Sequence, residues 1–299
     1  MEILYGIENN YIDVTNICKK YLKINNIIRI YSGDCTRAIF FGDPANGILK
    51  HIIVKIKNKT HKFNDSVVID INLKSREVKS FNVDVRLNEL QSNLKINYGS
   101  FLQEFPEQKM AVEFLTGKEK VLEIGGNIGR NSLIIASILE NKKNLLTLES
   151  NPHIGNQLNE NKNINNLNFN VEVSALSSSK LIQSIIGWET KISNTLPHGF
   201  CWVNTISYNE LLNKYNINFD TLVLDCEGAF YYILKDFPNI LDNIRLIIVE
   251  NDYADISQKN YVDNILISKK FRKIHCEALP NGRLMGFECT DFFYEVWKK

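Results

Sequence analysis

Val121-Leu122-Glu123-Ile124-Gly125-Gly126-Asn127-Ile128-Gly129 (VLEIGGNIG) decides the fold of this chain. An apolar strand carrying one carboxylate runs into a glycine turn, and a helix-forming run starts at Arg130. Glycine lets the backbone approach a ligand closely, and a helix N-terminus offers unpaired N–H groups, so the stretch reads as a strand–turn–helix nucleotide site. The dinucleotide fingerprint G-x-G-x-x-G fits in no register, and Arg130-Asn131 cannot supply the Lys-Ser/Thr of a P-loop. What remains is acidic-x-Gly-x-x-x-Gly, set by Glu123, Gly125 and Gly129. A strand carboxylate suits the ammonium and sulfonium of S-adenosylmethionine better than it suits a pyrophosphate.

Outward from this turn, strand-like and helix-like runs alternate, the pattern of a parallel sheet covered on both faces. Strands are expected at Lys120–Ile124, Asn144–Leu148, Asn168–Val173, Asp220–Leu224 and Arg245–Glu250, and helices at Arg130–Leu139, His153–Asn163, Ser207–Lys214 and Ala229–Asp236. Ser207 and Glu210 have the spacing of a capping box. Two further strands, Phe271–Ala278 and Phe287–Trp297, are expected to join through Pro280-Asn281-Gly282. Glu149 closes the second strand about 20 residues past the glycine turn, where a carboxylate accepts hydrogen bonds from ribose hydroxyls. Ser174 and Ala175 follow the third strand, where small side chains can flank an adenine ring.

The first 80 residues read differently. Short β-branched runs (Ile27–Ile30, Ile52–Ile56, Val67–Ile71) alternate with turn residues, which predicts a small all-β, sandwich-like domain over 1–80 before an α/β domain over 81–299. Val54–Asn64 has the look of a hairpin around Asn58. The rhythm of this region resembles small β modules appended to other enzymes, including some that handle glycans.

Composition narrows the partners. The 299 residues carry a formal net charge of +1 and no long basic stripe, so nucleic acid is not expected. Six scattered cysteines form no CxxC pair, which argues against a zinc knuckle and for reduced thiols in a cytoplasmic protein. No apolar run reaches the roughly 18 residues of a membrane span, and the N-terminus lacks a secretory h-region.

Four blocks together carry a family likeness: VLEIGGNIGRNSL, LLTLESNPHIGNQLNENKNIN, VEVSALSS and TLVLDCEGAFYYILKDFPNIL. From Lys120 to about Tyr253 the chain resembles the FkbM family of class I S-adenosylmethionine-dependent methyltransferases. The resemblance implies a Rossmann-like seven-stranded sheet with its last strand antiparallel, and mainly O-methylation, often of sugars or polyketides. It implies that Glu123, Gly125, Asn127 and Gly129 line the methionine end, that Glu149 holds the ribose, and that Ala175 lies near the adenine; Gly126, Ser150 and Ser174 are further expected cofactor-binding residues. Glu123 stands where Asp is usual, Gly126 where Ala is common, and Ser150 where Pro is usual. The fourth block, Val223-Leu224-Asp225-Cys226-Glu227-Gly228-Ala229-Phe230, lacks the family's Lys and its final Glu.

Methyl transfer to an alcohol needs alignment and removal of a proton. Asp225, at the end of the fourth strand, is the expected base or a ligand for a divalent cation such as magnesium, and Glu227 is expected to orient the acceptor. No complete metal-ligand set is visible in the sequence. His198, in the loop Asn194–Phe200, is a further candidate base, and Trp188 and Trp202 flank that loop. Tyr98 and Glu104 precede the first strand, where a segment could cover the acceptor. The leading expectation is O-methylation of a hydroxylated acceptor, a carbohydrate first. The alternatives are methylation of a small metabolite or protein side chain, or a catalytically silent cofactor-binding or assembly module. Oligomeric state is open.

Overall fold

The computed structural model describes residues 1–187, 189–253, 255–279 and 289–299, and the chain divides into two compact units, Met1–Glu89 and Leu90–Lys299. In the first unit, β1 (Glu2–Ile7), β2 (Asn10–Asp13), β5 (His51–Ile56) and β6 (Lys59–Phe63) form one antiparallel sheet in the order β2-β1-β5-β6. A second sheet joins β3 (Lys23–Ile24), β4 (Ile27–Ile30), β7 (Val67–Asn72) and β8 (Glu77–Asn82) in the order β3-β4-β7-β8. The hairpin around Asn58 is present: Lys57 and Asn58 have φ of 50° and 60°, as a two-residue turn between twisted strands requires.

The unit is not all-β. It also contains α1 (Thr15–Tyr21) and α2 (Asp34–Phe41). Neither is signalled by a periodic apolar stripe, because both are fixed by specific hydrogen bonds. Asp13 Oδ1 accepts from the backbone N–H of Thr15 at 2.8 Å, and the Thr15 hydroxyl oxygen accepts from the N–H of Ile3. Buried Arg37, on α2, donates to the carbonyls of Tyr31, Asn64 and Val67 at 3.0, 2.8 and 2.8 Å.

In the second unit, α3 (Val83–Ser92), which begins before the division, and α4 (Phe105–Phe114) precede a seven-stranded sheet. Its strands are β9 (Val121–Ile124), β10 (Leu145–Leu148), β11 (Asn170–Glu172), β17 (Thr221–Leu224), β18 (Leu246–Glu250), β19 (Arg272–Glu277) and β20 (Tyr294–Lys298), in the order β11-β10-β9-β17-β18-β20-β19. Every residue of β9, β10 and β17 is buried, which explains their nearly unbroken apolar runs. Helices α5 (Arg130–Ile138), α6 (Pro152–Ile164), α7 (Tyr208–Tyr215), α8 (Phe230–Asp236) and α9 (Ile256–Ser268) alternate with the strands, giving a Rossmann-like layer order. The capping box at Ser207 and Glu210 is formed. Only β20 runs antiparallel, to both β18 and β19. The expected turn at Pro280-Asn281-Gly282 and the start of the expected strand Phe287–Trp297 lie outside the described residues, as does Trp188. Thr290–Phe292 is a 3-10 turn, and the strand begins at Tyr294.

The excursion from β11 to α7 builds two small sheets. In one, β12 (Ala175–Leu176) pairs with β16 (Thr205–Ile206); in the other, β13 (Leu181–Ser184) lies between β14 (Thr190–Ile192) and β15 (Phe200–Val203). Chain order reverses between β9 and β17: β10 and β11 lie to one side, β17 and β18 to the other. In open α/β sheets such a reversal leaves a crevice at the C-terminal strand ends, where ligands bind. Among the described residues no helix is long and apolar enough to cross a membrane.

Candidate active site

The turn after β9 is built by backbone geometry first. Gly125 has φ of +91°, and a Cβ there would stand 1.5 Å from the carbonyl oxygen of Asp225, so only glycine lets the ends of β9 and β17 come this close. The backbone N–H groups of Gly125 and Gly126 both donate to the carbonyl of Leu148, at 3.0 and 2.9 Å, tying the turn to β10. A Cβ on Gly126 would fall 2.2 Å from Thr147 Cγ2, which accounts for glycine where alanine is common. Asn127 takes φ of +47°, and Gly129, at φ +95°, precedes the first residue of α5.

Glu123 lies beneath this turn. Its buried Oε2 accepts from the hydroxyls of Ser132 and Thr147 at 2.6 and 2.7 Å. Burial pushes its carboxyl up to about 7, against the pull of those two donors. Glu123 is absent from the cavity wall, which Ile124, Gly125 and Asn127 line instead. The carboxyl joins β9, β10 and α5 through these two hydroxyls.

Glu149, at the end of β10, does line the cavity. Its Oε2 accepts from the Asn127 N–H at 2.9 Å and its Oε1 from the Asn151 N–H at 2.7 Å. The Ser150 N–H and hydroxyl also hydrogen-bond this carboxylate, so four protein donors converge on it. Ser150, Ser174 and Ala175 line the same wall, joined by Leu181 and Gln183 of β13. Gln183 Nε2 donates to the Ser150 hydroxyl at 3.2 Å, while the Ser174 hydroxyl donates to Glu172 at 2.8 Å.

The opposite wall is acidic. Asp225 and Glu227 after β17, Glu250 and Asp252 around the end of β18, and Glu104 and Glu107 at the start of α4 all face one cavity of about 1180 Å³. Burial, and then the charges of Glu104, Glu107, Asp252 and Glu227, hold the Asp225 carboxyl well above its usual range. Burial and the facing charge of Glu227 push Asp252 up to about 7. Glu227 sits at φ +51°, and the next N–H, that of Gly228, donates to Asp252 Oδ1 at 2.6 Å. Glu104 is partnered: its Oε1 accepts from Arg130 Nη1 at 2.6 Å and from Asn127 Nδ2 at 3.1 Å. Arg130 also donates to the Ser100 carbonyl and to Gln103, so the segment before α4 is fastened to the glycine turn.

The structure therefore brings Gly125, Asn127, Glu149, Ser150, Ser174, Ala175, Asp225 and Glu227 to one cavity. His198 is not among them. It is exposed, in a shallow apolar depression with Ile185, Ile186, Leu196 and Phe200, away from the wall that holds Asp225. Tyr98 donates to Glu160 at 2.7 Å and Trp202 is 44% exposed on β15; neither lines the cavity. Glu107, Glu250 and Asp252 escaped sequence reading. The strand-end rule that singled out Asp225 applies equally to Glu250 and Asp252. Nothing local marks Glu107, which reaches the site only through the placement of α4.

No family model matches the chain, and no curated protein matches it. Among solved structures it is similar to an O-methyltransferase of Bacillus cereus in complex with SAH, at 16% identity and a TM-score of 0.42, over 73% of this chain and 90% of that one. It is also similar to Aeropyrum pernix fibrillarin in complex with S-adenosyl-L-methionine, at 9% identity and a TM-score of 0.41, over 82% and 97% of the two chains. A third is the ribosomal protein L11 methylase of Lactobacillus delbrueckii subsp. bulgaricus, at 9% identity and a TM-score of 0.42, over 69% and 83%. All three are distant.

Proposed function

We propose that the chain is an S-adenosylmethionine-dependent methyltransferase that acts on a hydroxyl oxygen, with a carbohydrate as the favoured acceptor class. The observation that supports this reading best is the division of one cavity about the sheet reversal. A nucleoside fits on the β10 side, with its ribose on Glu149 and its adenine between Ala175 and β13. The methionine end would then pass over Gly125 and Asn127 toward β17, where Asp225 stands beside the methyl group. A cavity of about 1180 Å³ exceeds the ~300–1,000 Å³ of most single-ligand pockets and leaves room for an acceptor. In this scheme the acceptor O–H gives its proton to Asp225 as the O–CH₃ bond forms, and the S–CH₃ bond breaks to leave S-adenosylhomocysteine. Clustered carboxylates accept well from sugar hydroxyls, which favours a polyol over an anionic acceptor.

Calorimetric titration tests this directly. S-adenosylhomocysteine should bind with one site per chain, and Glu149→Ala should weaken binding at least tenfold. Absence of binding to the wild-type protein would sink the proposal, and an unchanged affinity in the variant would remove the ribose from Glu149.

A further inference from the structure

Three of the cavity carboxylates form a tighter group. One oxygen each from Glu107, Asp225 and Glu250 lies within 4.8 Å of the other two. They come from three separate elements: the first turn of α4, the end of β17 and the end of β18. Glu107 is 5% exposed, and its buried Oε2 has no hydrogen-bond donor. Asp252 Oδ2, on the same cavity, is likewise buried and without a donor. Among the described residues no lysine or arginine forms an ion pair with Glu107, Asp225 or Glu250, and the nearby Arg130 is engaged by Glu104. Orphaned buried carboxylate oxygens are costly unless a proton or a cation satisfies them.

We propose that Glu107, Asp225 and Glu250 bind a hard divalent cation at the acceptor end of the cavity. The donors are all oxygen, which suits magnesium, manganese or calcium and not zinc or copper. Oxygens on opposite sides of such an ion stand ~4.2 Å apart for magnesium and up to ~5 Å for calcium, so three oxygens within 4.8 Å of one another are near the span that one ion bridges. Three protein ligands leave coordination positions for water or for an acceptor hydroxyl. The competing arrangement is a proton shared between Glu107 and Glu250, which needs no ion. The use of the cation in transfer rests on the methyltransferase reading; its binding does not.

The probe is manganese, titrated into the full chain without cofactor and followed by electron paramagnetic resonance of the free ion. One saturable site per chain, displaced by magnesium, is expected. Glu107→Gln and Glu250→Gln should each weaken it at least tenfold, while S-adenosylhomocysteine affinity stays within about threefold of wild type. Circular dichroism identifies the folded variants, and the half-buried Glu250 supplies the second should α4 not tolerate the change at Glu107. No saturable manganese site, as a shared proton would give, overturns the proposal. So does wild-type manganese affinity in either folded variant. Manganese binding without S-adenosylhomocysteine binding would uphold the cation site while overturning the methyltransferase reading.

Discussion

At the scale of single residues, Glu123 and Asp225 are two buried carboxyls in different settings, one bonded within the fold and one on the cavity wall. Glu123 is sealed from the cavity and bonded to Ser132 and Thr147, with its carboxyl raised to about 7 by burial. Between the unfolded value near 4.5 and about 7 the folded protein holds the extra proton, so stability contributed by the neutral form is lost as pH rises through that window. Glu123→Gln removes this dependence. Relative to wild type, the variant should gain ~2–3 kcal/mol in unfolding free energy on going from pH 5 to pH 8, read by urea denaturation; a constant difference at both pH values would show that the group does not titrate there. For Asp225→Asn the same shape is kept and the proton acceptor is lost. We expect turnover to fall at least a hundredfold with S-adenosylhomocysteine affinity little changed, and normal turnover would remove Asp225 from the chemistry. The sequence made Glu149 and Asp225 legible because both close strands that feed the crevice. The bonds of Glu123 to Ser132 and Thr147 were not legible, since the motif that marks a strand carboxylate does not say which face of the turn the side chain takes.

At the scale of elements, the turn between β9 and α5 is where shape tolerates least. Gly125→Ala would set a methyl carbon 1.5 Å from a backbone oxygen at a position with φ +91°. Gly42 also has positive φ, +78°, but nothing lies within 4 Å of its missing Cβ. With ψ of 175° Gly42 lies in a region open essentially to glycine, and Gly42→Ala should cost the ~1–3 kcal/mol of that backbone strain without a clash. Gly125→Ala should exceed 4 kcal/mol and abolish cofactor binding; similar melting temperatures for the two variants would contradict the close approach of β9 and β17. Elements with regular burial were legible: each expected strand through β18 and each expected helix is present within a few residues. Elements held by other means were not. The α4 sequence FPEQKMAVEF buries Glu107, Gln108 and Glu113 along with its apolar residues, so it shows no polar face to read. The short strands β12 to β16, two to four residues each, are too brief to stand out from the loop that carries His198. α1 and α2 owe their place to Asp13, Thr15 and Arg37 bonding across the unit rather than to a stripe.

At the scale of the whole molecule, the described walls of the cavity come from Leu90–Lys299, while Met1–Glu89 has its own two sheets and its own buried set, including Tyr5, Arg37 and Lys50. In that first unit the buried charges are satisfied internally: Lys50 pairs with Asp34 and Asp43, each at 2.7 Å, and Arg37 is used on backbone carbonyls. The acidic wall of the second unit is the reverse case, with carboxylate oxygens left without donors. A ligand that binds only the folded second unit should stabilise it by mass action, by ~2.7 kcal/mol at 100 times its Kd, without altering the first. Hydrogen exchange resolved by mass spectrometry checks this. With saturating S-adenosylhomocysteine, amides of 121–129, 148–151 and 225–228 should exchange at least tenfold more slowly, and those of 1–89 should be unchanged. Protection that extended across 1–89 would give the N-terminal unit a part in cofactor binding; protection confined to the strand ends would leave it free for the acceptor or for another protein surface.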